Sequence, residues 1–241
     1  MSVSKGAFLY EGKAKRIYET GDPSALWVEF KDDATAFNGQ KKGQILDKGR
    51  MNARISAALF ARLEAAGIPT HFREQVGERD LLVDRLRMLP LEVVVRNRVA
   101  GSLAARTGLA EGTPLPRPVV ELYYKNDELG DPLLNEDHVL ALGLADEAAI
   151  ADLKTRGRAV NDFLSAYFDR RGIILVDFKL EFGTFTAPDG SQVLKLGDEI
   201  SPDTCRLWDK RDLTKLDKDR FRRDLGGVEE AYREVLERVL Q

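Results

Sequence analysis

The segment ILVDFKLEFG, residues 174–183, restricts the possible folds more than any other stretch of the chain. Its residues are all apolar as far as Val176, which is typical of a strand covered on both faces. From there charged and apolar residues alternate, so that Asp177, Lys179 and Glu181 share one face of the strand. The charged face is therefore either a solvated surface or the floor of a polar site.

The composition indicates a protein that folds without disulfide bonds. The 241 residues suffice for one large domain or two small lobes, and the single cysteine, Cys205, fits a reducing compartment. No stretch approaches the ~18 apolar residues of a membrane span, and the N-terminal residues lack the apolar core of a signal peptide. With 37 basic and 40 acidic residues, the chain has no overall attraction to nucleic acid. We therefore expect a cytoplasmic protein with no nucleic acid and no membrane among its partners.

Hydrophobic periodicity and turn signals predict a mixed architecture. Helices are predicted at 48–66, at 146–171 with an interruption at Gly157, and from 228 onward. Strand-like runs cover 26–30, 81–83, 93–95, 173–182 and 192–196, and Asp189-Gly190 is a hairpin signal between the last two. Because helices and strands do not alternate regularly, the pattern favours an α+β fold over a doubly wound sheet. Residues 82–95 fit a crossover between two lobes, where a cleft would be the default ligand site.

A glycine and three basic residues lie close together in YEGKAKRIY, residues 10–18. Gly12 permits a tight turn, and strand alternation places Lys13 and Lys15 on one side, where they could meet a polyanion. The same pattern fits a solvated edge strand protected by its lysines. The chain has no G-x-x-x-x-G-K-[ST] motif, so a nucleotide would have to bind elsewhere than at a P-loop.

Two arginines leave a buried strand in VVVRNRVAGSLAARTG, residues 93–108. A short helix follows, which we expect Ser102 to cap and Gly108 to end. Arg96 and Arg98 lie beside the helix N-terminus, where charge-assisted hydrogen bonds would hold a phosphate or a carboxylate. The alternative is a capped helix with two surface arginines.

Acidic residues follow the last predicted strand in LGDEISPDTCRLWDK, residues 196–210. Asp198 and Glu199 come at the end of the hairpin partner of segment 174–183, so that Asp198 would lie near Glu181. Neighbouring carboxylates repel each other unless a cation lies between them, and Mg²⁺ bound to nucleotide phosphates would supply one. A pair of hairpin-end acids in solvent is the alternative.

Three other residues lack metal-ligand spacing or a neighbouring base and are expected to be structural or on the surface: His71, His138 and Cys205.

Together these stretches resemble one family, the phosphoribosylaminoimidazole-succinocarboxamide synthases (SAICAR synthetases) of purine biosynthesis. The matching motifs, in family order along nearly the whole chain, are GKAKRIY, DATAFNG, VVVRNRVAGSLAART, YYKND, LVDFKLEFG, LGDEISPDTCRLWD and DKDRFRRDLGG. The resemblance implies a two-lobed α+β enzyme with antiparallel sheets and packing helices, the lobes being residues 1–87 and 88–241. The nucleotide cleft between the lobes would be of the kind found in protein kinases and ATP-grasp ligases.

The resemblance also implies the reaction. ATP would convert the carboxylate of the carboxyaminoimidazole ribotide CAIR into an acyl phosphate, and the amine of L-aspartate would displace the phosphate. The products would be SAICAR, ADP and inorganic phosphate. Activation is needed because a carboxylate is a poor electrophile, and the transfer depends on positioning and charge neutralisation.

Individual residues match the family's functional positions. The residues that match on the nucleotide side are Lys13, Lys15 and Lys125, with adenine expected against the backbone of Asp84 to Leu86 and Mg²⁺ expected at Glu181 and Asp198. The residues expected to hold the phosphoribosyl group of CAIR are Arg96, Ser102 and Arg206, and those around its carboxylate and imidazole are Asp177, Lys179 and Asp203. Asn38 stands where some members carry an aspartate, and we assign it no catalytic role.

Proton transfer is the open step of this chemistry. No histidine is placed to deprotonate the ammonium group of L-aspartate, so either Asp177 accepts the proton in a closed site or the amine enters in its minor neutral form. Asp177 and Lys179 are the expected catalytic residues. A kinase with the same cleft and a nucleotide-sensing or RNA-binding module are competing functions, although the acidic balance of charges argues against RNA. The apolar face of the C-terminal helix and the resemblance together favour a homodimer.

Overall fold

The computed structural model describes residues 3–36 and 39–241, so Asn38 lies outside the described residues. The described strands are, in chain order, β1 (Lys5–Glu11), β2 (Lys15–Thr20), β3 (Ala25–Phe30), β4 (Asp33–Ala36), β5 (Lys41–Gln44), β6 (Phe72–Gln75), β7 (Asp80–Asp84), β8 (Arg87–Arg98), β9 (Pro114–Tyr124), β10 (Leu133–Leu134), β11 (Ile173–Thr186), β12 (Gln192–Leu196) and β13 (Cys205–Asp209). The described helices are α1 (Lys48–Ala65), α2 (Gly101–Thr107), α3 (Glu136–Ala141), α4 (Glu147–Asp169), α5 (Asp219–Arg222) and α6 (Val228–Leu240), with a 3₁₀ helix at Asp127–Leu129. Among these helices, none is both long enough and apolar enough to span a membrane.

The N-terminal third of the chain forms a five-stranded antiparallel sheet with the order β1-β2-β3-β7-β6. The predicted strands at 26–30 and 81–83 pair with each other in it, with Leu26 opposite Val83. Helix α1 begins at Lys48, as predicted, and packs Ala53 and Ala57 into the small core behind this sheet. Strands β4 and β5 form a separate two-stranded ribbon.

The rest of the chain forms a larger antiparallel sheet in which β11 is central, as its sequence pattern requires. The order is β10-β9-β8-β11-β12, and β13 pairs with the first part of β11, on the same side as β12. The predicted hairpin between β11 and β12 is confirmed, because its turn is closed by a hydrogen bond from the Ala187 N–H to the Ser191 carbonyl at 2.8 Å. The α+β fold with antiparallel sheets is therefore confirmed.

Helix α4 covers the apolar face of the larger sheet and extends over most of the predicted range. Phe178 and Leu180 of β11 are buried in the core on this face. A Cβ atom added at Gly157 would lie 3.1 Å from the Val93 side chain and 3.4 Å from that of Val95. The glycine therefore lets the helix approach the sheet closely, which accounts for an interruption that costs ~1 kcal/mol of helix propensity.

Helix α6 begins at Val228, as predicted, and packs against α1. Its apolar residues Tyr232, Val235 and Val239 are completely buried. The apolar face that favoured a homodimer is thus already covered within the chain.

The predicted cap of helix α2 is wrong. The N-cap residue is Ala100, and none of the described side chains caps the helix, which begins at Gly101 with a left-handed φ of 52°. Ser102 lies one residue too far along the chain to cap it, and its Oγ instead accepts a hydrogen bond from Arg96 at 3.0 Å. The predicted helix stop is confirmed, because Gly108 follows the helix with a φ of 70°.

Candidate active site

A cavity of about 720 Å³ lies between the two sheets and is lined by residues from both. The smaller sheet contributes apolar side chains, including Ile17, Leu26 and Val28. The larger sheet contributes mainly charged residues. The crossover predicted at 82–95 also borders the cavity, since Leu86 and Met88 line it.

The charged face of β11 forms the floor of this cavity. Asp177, Lys179 and Glu181 all line it, and the intervening side chains of Phe178 and Leu180 are buried in the core of the larger sheet. Asp177 and Glu181 are each only 3% exposed, which excludes the solvated surface strand. Neighbouring β8 presents Arg96 opposite Asp177 and Glu92 opposite Glu181, so the sheet register brings these side chains together.

Lys179 lies at the centre of a cluster of carboxylates. Its Nζ is 2.9 Å from Glu92 and 3.5 Å from Asp198, and it also forms an ion pair with Glu181. Burial opposes the charge on Lys179, but Asp198, Glu181 and Glu92 outweigh burial and raise the pKa of the lysine well above its usual value. Lys179 is therefore a permanent cation and cannot serve as a base.

The predicted metal pair, Glu181 and Asp198, shares the ammonium group of Lys179. Asp198 is also paired with Lys15, and despite its burial these two lysines hold the pKa of Asp198 well below the usual range. The described residues contain no group of three or more metal-ligating side chains. Two carboxylates around one cation nevertheless fit Mg²⁺, because this ion commonly takes one or two protein carboxylates and completes its shell with phosphate oxygens and water.

Two of the three lysines expected on the nucleotide side contact the carboxylates of this cluster. Lys15 lies 3.0 Å from Glu199 in addition to its pair with Asp198, and Lys125 forms an ion pair with Glu181. Lys13 differs from these, because its Nζ reaches 2.7 Å to Asp127 across the cavity mouth. The turn of residues 12–14 is thus joined to the opposite lip by an exposed ion pair.

The expected adenine end is lined by Asp84 and Leu86. The Asp84 carboxylate accepts hydrogen bonds from Arg73 at 2.6 Å and from Lys195 at 2.5 Å, so both of its oxygens have partners within the protein. Leu86 packs directly on Gly183, where an added Cβ atom would come within 2.8 Å of it. Both side chains at this end are thus engaged in contacts within the protein.

His71 borders the cavity, where a structural role was expected. It is 7% exposed, and its ring meets that of Phe60 edge to face at 5.2 Å. Its Nε2 atom has no hydrogen-bond partner in the described part of the chain. Burial, assisted by the charge of Lys15, lowers the pKa of His71 to about 4, so the ring is neutral at physiological pH.

A second cluster, made of guanidinium groups, lies at the other end of the floor. Asp177 accepts hydrogen bonds from Arg96 at 2.7 Å and from Arg206 at 2.9 and 3.1 Å. Arg96 also donates to the Ser102 hydroxyl, and Arg206 to Asp219 at 3.0 Å. The predicted phosphate-binding residues Arg96, Ser102 and Arg206 are thus brought together around Asp177.

Asp203 joins this end of the cavity to the helices. Its carboxylate lies 2.6 Å from Lys48 Nζ and accepts a hydrogen bond from the Tyr232 hydroxyl at 2.7 Å. Burial opposes ionisation of Asp203, but the ammonium groups of Lys218 and Lys48 outweigh it and hold the pKa well below the usual range. Asp203 is therefore an ionised group within the cavity wall.

Several residues of the site were not singled out in the sequence as functional. They are Lys48, Glu92, Glu121, Tyr123, Lys218 and Arg222. Strand alternation could have indicated three of these residues: Glu92, Glu121 and Tyr123. Glu92 lies on the same face of β8 as Arg96, and the other two share one face of β9. Lys218 and Arg222 lie in the motif DKDRFRRDLGG, to which no role was assigned, and Lys48 reaches Asp203 only through helix packing over a long sequence separation.

Comparison with known proteins agrees with this geometry. The family model described as SAICAR synthetase matches residues 8–239. A phosphoribosylaminoimidazole-succinocarboxamide synthase of Desulfitobacterium hafniense (strain Y51) is 60% identical over 98% of this chain and 98% of its own. The crystal structure of the Ehrlichia chaffeensis enzyme of the same name superposes with a TM-score of 0.93 at 45% identity, covering 97% of this chain and 98% of that one. A SAICAR synthetase in complex with ADP gives a TM-score of 0.90 at 51% identity, covering 95% and 96%. The chain belongs to the SAICAR synthetase family.

Proposed function

We propose that this cavity catalyses the ATP-dependent joining of CAIR to L-aspartate, giving SAICAR, ADP and phosphate in de novo purine biosynthesis. The observation that carries the proposal is the division of one cavity floor into two ends. An ammonium and carboxylate cluster around Lys179 suits a metal-bound triphosphate, and a guanidinium cluster around Asp177 suits a sugar phosphate. A relative that is 51% identical binds ADP, in agreement with a nucleotide at the first end.

ATP would occupy the end that contains the lysines. Lys13, Lys15 and Lys125 would bind its phosphates, and the backbone from Asp84 to Leu86 would contact adenine. Glu181 and Asp198 would hold Mg²⁺, which when bound neutralises charge on the transferred phosphoryl group. Each lysine already contacts a carboxylate, so phosphate binding requires these ion pairs to rearrange.

CAIR would occupy the guanidinium end. Arg96, Ser102 and Arg206 would bind its phosphoribosyl group through charge-assisted hydrogen bonds. Lys179 and Asp203 would lie around its carboxylate and imidazole. Lys179 is suited to neutralise charge there because it is held permanently charged.

Two chemical steps then follow within the cavity. A carboxylate oxygen of CAIR attacks the γ-phosphorus of ATP, and the bond to ADP breaks. The neutral amine of L-aspartate attacks the resulting acyl carbon, and the carbon–oxygen bond to phosphate breaks. We assign to Asp177 the proton that the ammonium group of L-aspartate loses to become this neutral amine, and the proton lost from the nitrogen as the amide forms leaves with the phosphate. Asp177 would have to release one of its guanidinium partners when CAIR binds.

Phosphate release tests this function against a kinase. A continuous phosphate assay with Mg²⁺-ATP should show release only when CAIR and L-aspartate are both present, with omission of either as the control. A stable phosphorylated product without L-aspartate would indicate a kinase instead. An absence of ATP turnover with all substrates would favour a nucleotide-sensing role.

Three broader assignments accompany this function. The lobes would be residues 1–87 and 88–241, on either side of the crossover at Arg85 and Leu86. The location would be the cytoplasm, to which a free, buried Cys205 is suited. Exposed Phe8 and Tyr10 on edge strand β1 support a homodimer, because exposed apolar side chains at a sheet edge are typical of an interface. Light scattering during gel filtration would measure the mass of the particle in solution.

A further inference from the structure

Lys218 differs from the other lysines of the cavity. Four lysines that line the cavity each form an ion pair with a carboxylate: Lys13, Lys15, Lys125 and Lys179. Lys218 also lines the cavity, but within residues 3–36 and 39–241 no carboxylate oxygen lies within 4.0 Å of its Nζ. Burial lowers the pKa of Lys218, and the nearby charges of Asp203 and Glu199 offset this only in part, because Arg222 and Lys48 act in the same direction as burial.

The backbone fixes the position of Lys218. Its N–H donates to the Pro202 carbonyl at 3.0 Å, next to Asp203 in the cavity wall. The preceding Asp217 carboxylate accepts hydrogen bonds from the N–H groups of Leu207 at 2.8 Å and Asp219 at 2.7 Å. The segment is thus anchored to β13, the strand that carries Arg206. The ammonium group is held at the cavity with no ion pair to any carboxylate in the described part of the chain.

Arg222 places a second cation next to Lys218. It lies one helical turn later, its N–H donates to the Lys218 carbonyl at 2.9 Å, and its side chain also lines the cavity. Its guanidinium binds Asp219 at 2.6 Å, which is shared with Arg206. Lys218 has no ion pair within 4.0 Å among the described residues, and the Asp219 carboxylate that Arg222 binds is shared with Arg206, so the two neighbouring cations can together bind an anion.

In the proposed function, the phosphates of ATP and the phosphate and carboxylate of CAIR each have protein partners. The two carboxylates of L-aspartate have none assigned. We propose that Lys218 and Arg222 bind a carboxylate of L-aspartate, an inference that rests on the proposed ligase function. The pair lies beside Asp203, which borders the expected position of the CAIR carboxylate. An amine held there would be close to the acyl carbon that it must attack.

Steady-state kinetics of Lys218→Met test the proposal. The variant keeps the length of the side chain and removes its charge, so the KM for L-aspartate should rise at least about tenfold. The KM values for ATP and CAIR should stay within about twofold of the wild type, which a general structural defect would not allow. Lys218→Arg should restore much of the affinity for L-aspartate. Lys210→Met is the matched control, because Lys210 pairs with Asp169 on the surface.

Two results would overturn the proposal. One is an unchanged KM for L-aspartate in a Lys218→Met protein whose unfolding temperature matches that of the wild type. The other is an equal rise in the KM for CAIR, which would assign Lys218 to that substrate. If the wild type forms no SAICAR, the proposed function fails, and calorimetric titration of L-aspartate with Mg²⁺-ADP present then decides. Binding by the wild type that is lost in Lys218→Met supports the site, and equal heats in both proteins refute it.

Discussion

Substitution of Asp177 by asparagine removes the one carboxylate that Arg96 and Arg206 share. Asp177 is 3% exposed and accepts three hydrogen bonds from these guanidinium groups. Loss of one partner from a buried charge pair costs ~3–5 kcal/mol. The lower end applies, because Arg96 keeps Glu121 and Arg206 keeps Asp219. A loss of about 3 kcal/mol lowers the unfolding temperature of a chain of this length by roughly 6–12 °C.

Two measurements on Asp177→Asn separate stability from catalysis. Thermal unfolding followed by circular dichroism gives the first, with Asp162→Asn, at an exposed position of α4, as the control. Initial-rate kinetics give the second. If Asp177 accepts the proton, kcat should fall far more than the affinity for CAIR.

Each measurement has an outcome that would contradict the role expected of Asp177. An unfolding temperature within 2 °C of the wild type would mean that Asp177 does not stabilise the guanidinium pair. Equal losses in kcat and in CAIR affinity would make Asp177 a binding residue. An unchanged kcat would leave the amine to enter in its neutral form.

Three further perturbations follow from particular side chains. Because the pKa of His71 falls from 6.5 in the unfolded chain to about 4, its stabilising contribution is present above pH 6.5 and lost toward pH 4. The free energy of unfolding of the wild type minus that of His71→Gln should therefore fall by up to roughly 3 kcal/mol between pH 6.5 and pH 4. Asp217, whose pKa is raised to about 7, has the opposite pH dependence, but it contributes equally to both proteins and cancels in the difference. A difference that does not change with pH would refute the prediction. Gly101→Ala places a Cβ atom 2.4 Å from the Arg206 guanidinium at a φ of 52°, so the KM for CAIR should rise at least about tenfold, and a wild-type KM would show that Arg206 does not need this space. Cys205 is 4% exposed and burial raises the pKa of its thiol, so Ellman's reagent should react at least about a hundredfold more slowly with the native than with the unfolded protein, and comparable rates would contradict its burial.

Local patterns predicted the elements that carry strong periodicity. The helices that contain Met51, Ile150 and Val235 and the central strand β11 follow from the spacing of apolar residues alone. Strand β9 was not predicted, because Pro114, Pro116 and Pro118 in its first half are typical of a loop.

The site itself could be predicted only in part. Alternation placed Asp177, Lys179 and Glu181 on one face, but the partners of that face depend on strand register. Glu92 lies opposite Glu181 only because β8 and β11 pair across 89 positions of sequence, which local spacing does not encode. The resemblance to the family supplied expected roles for the predicted residues and none for Lys218, whose position depends on hydrogen bonds that join the segment before helix α5 to Pro202 and Leu207.

In the proposed function, the charged face of β11 holds the metal ion and the nucleotide of the ligase. Crystals grown with ADP and Mn²⁺ in place of Mg²⁺ would locate the ion directly by its anomalous scattering. We predict a peak about 2.0–2.3 Å from a carboxylate oxygen of both Glu181 and Asp198, with the remaining ligands supplied by phosphate and water. A peak that contacts neither carboxylate, with ADP bound in the cavity, would contradict this prediction.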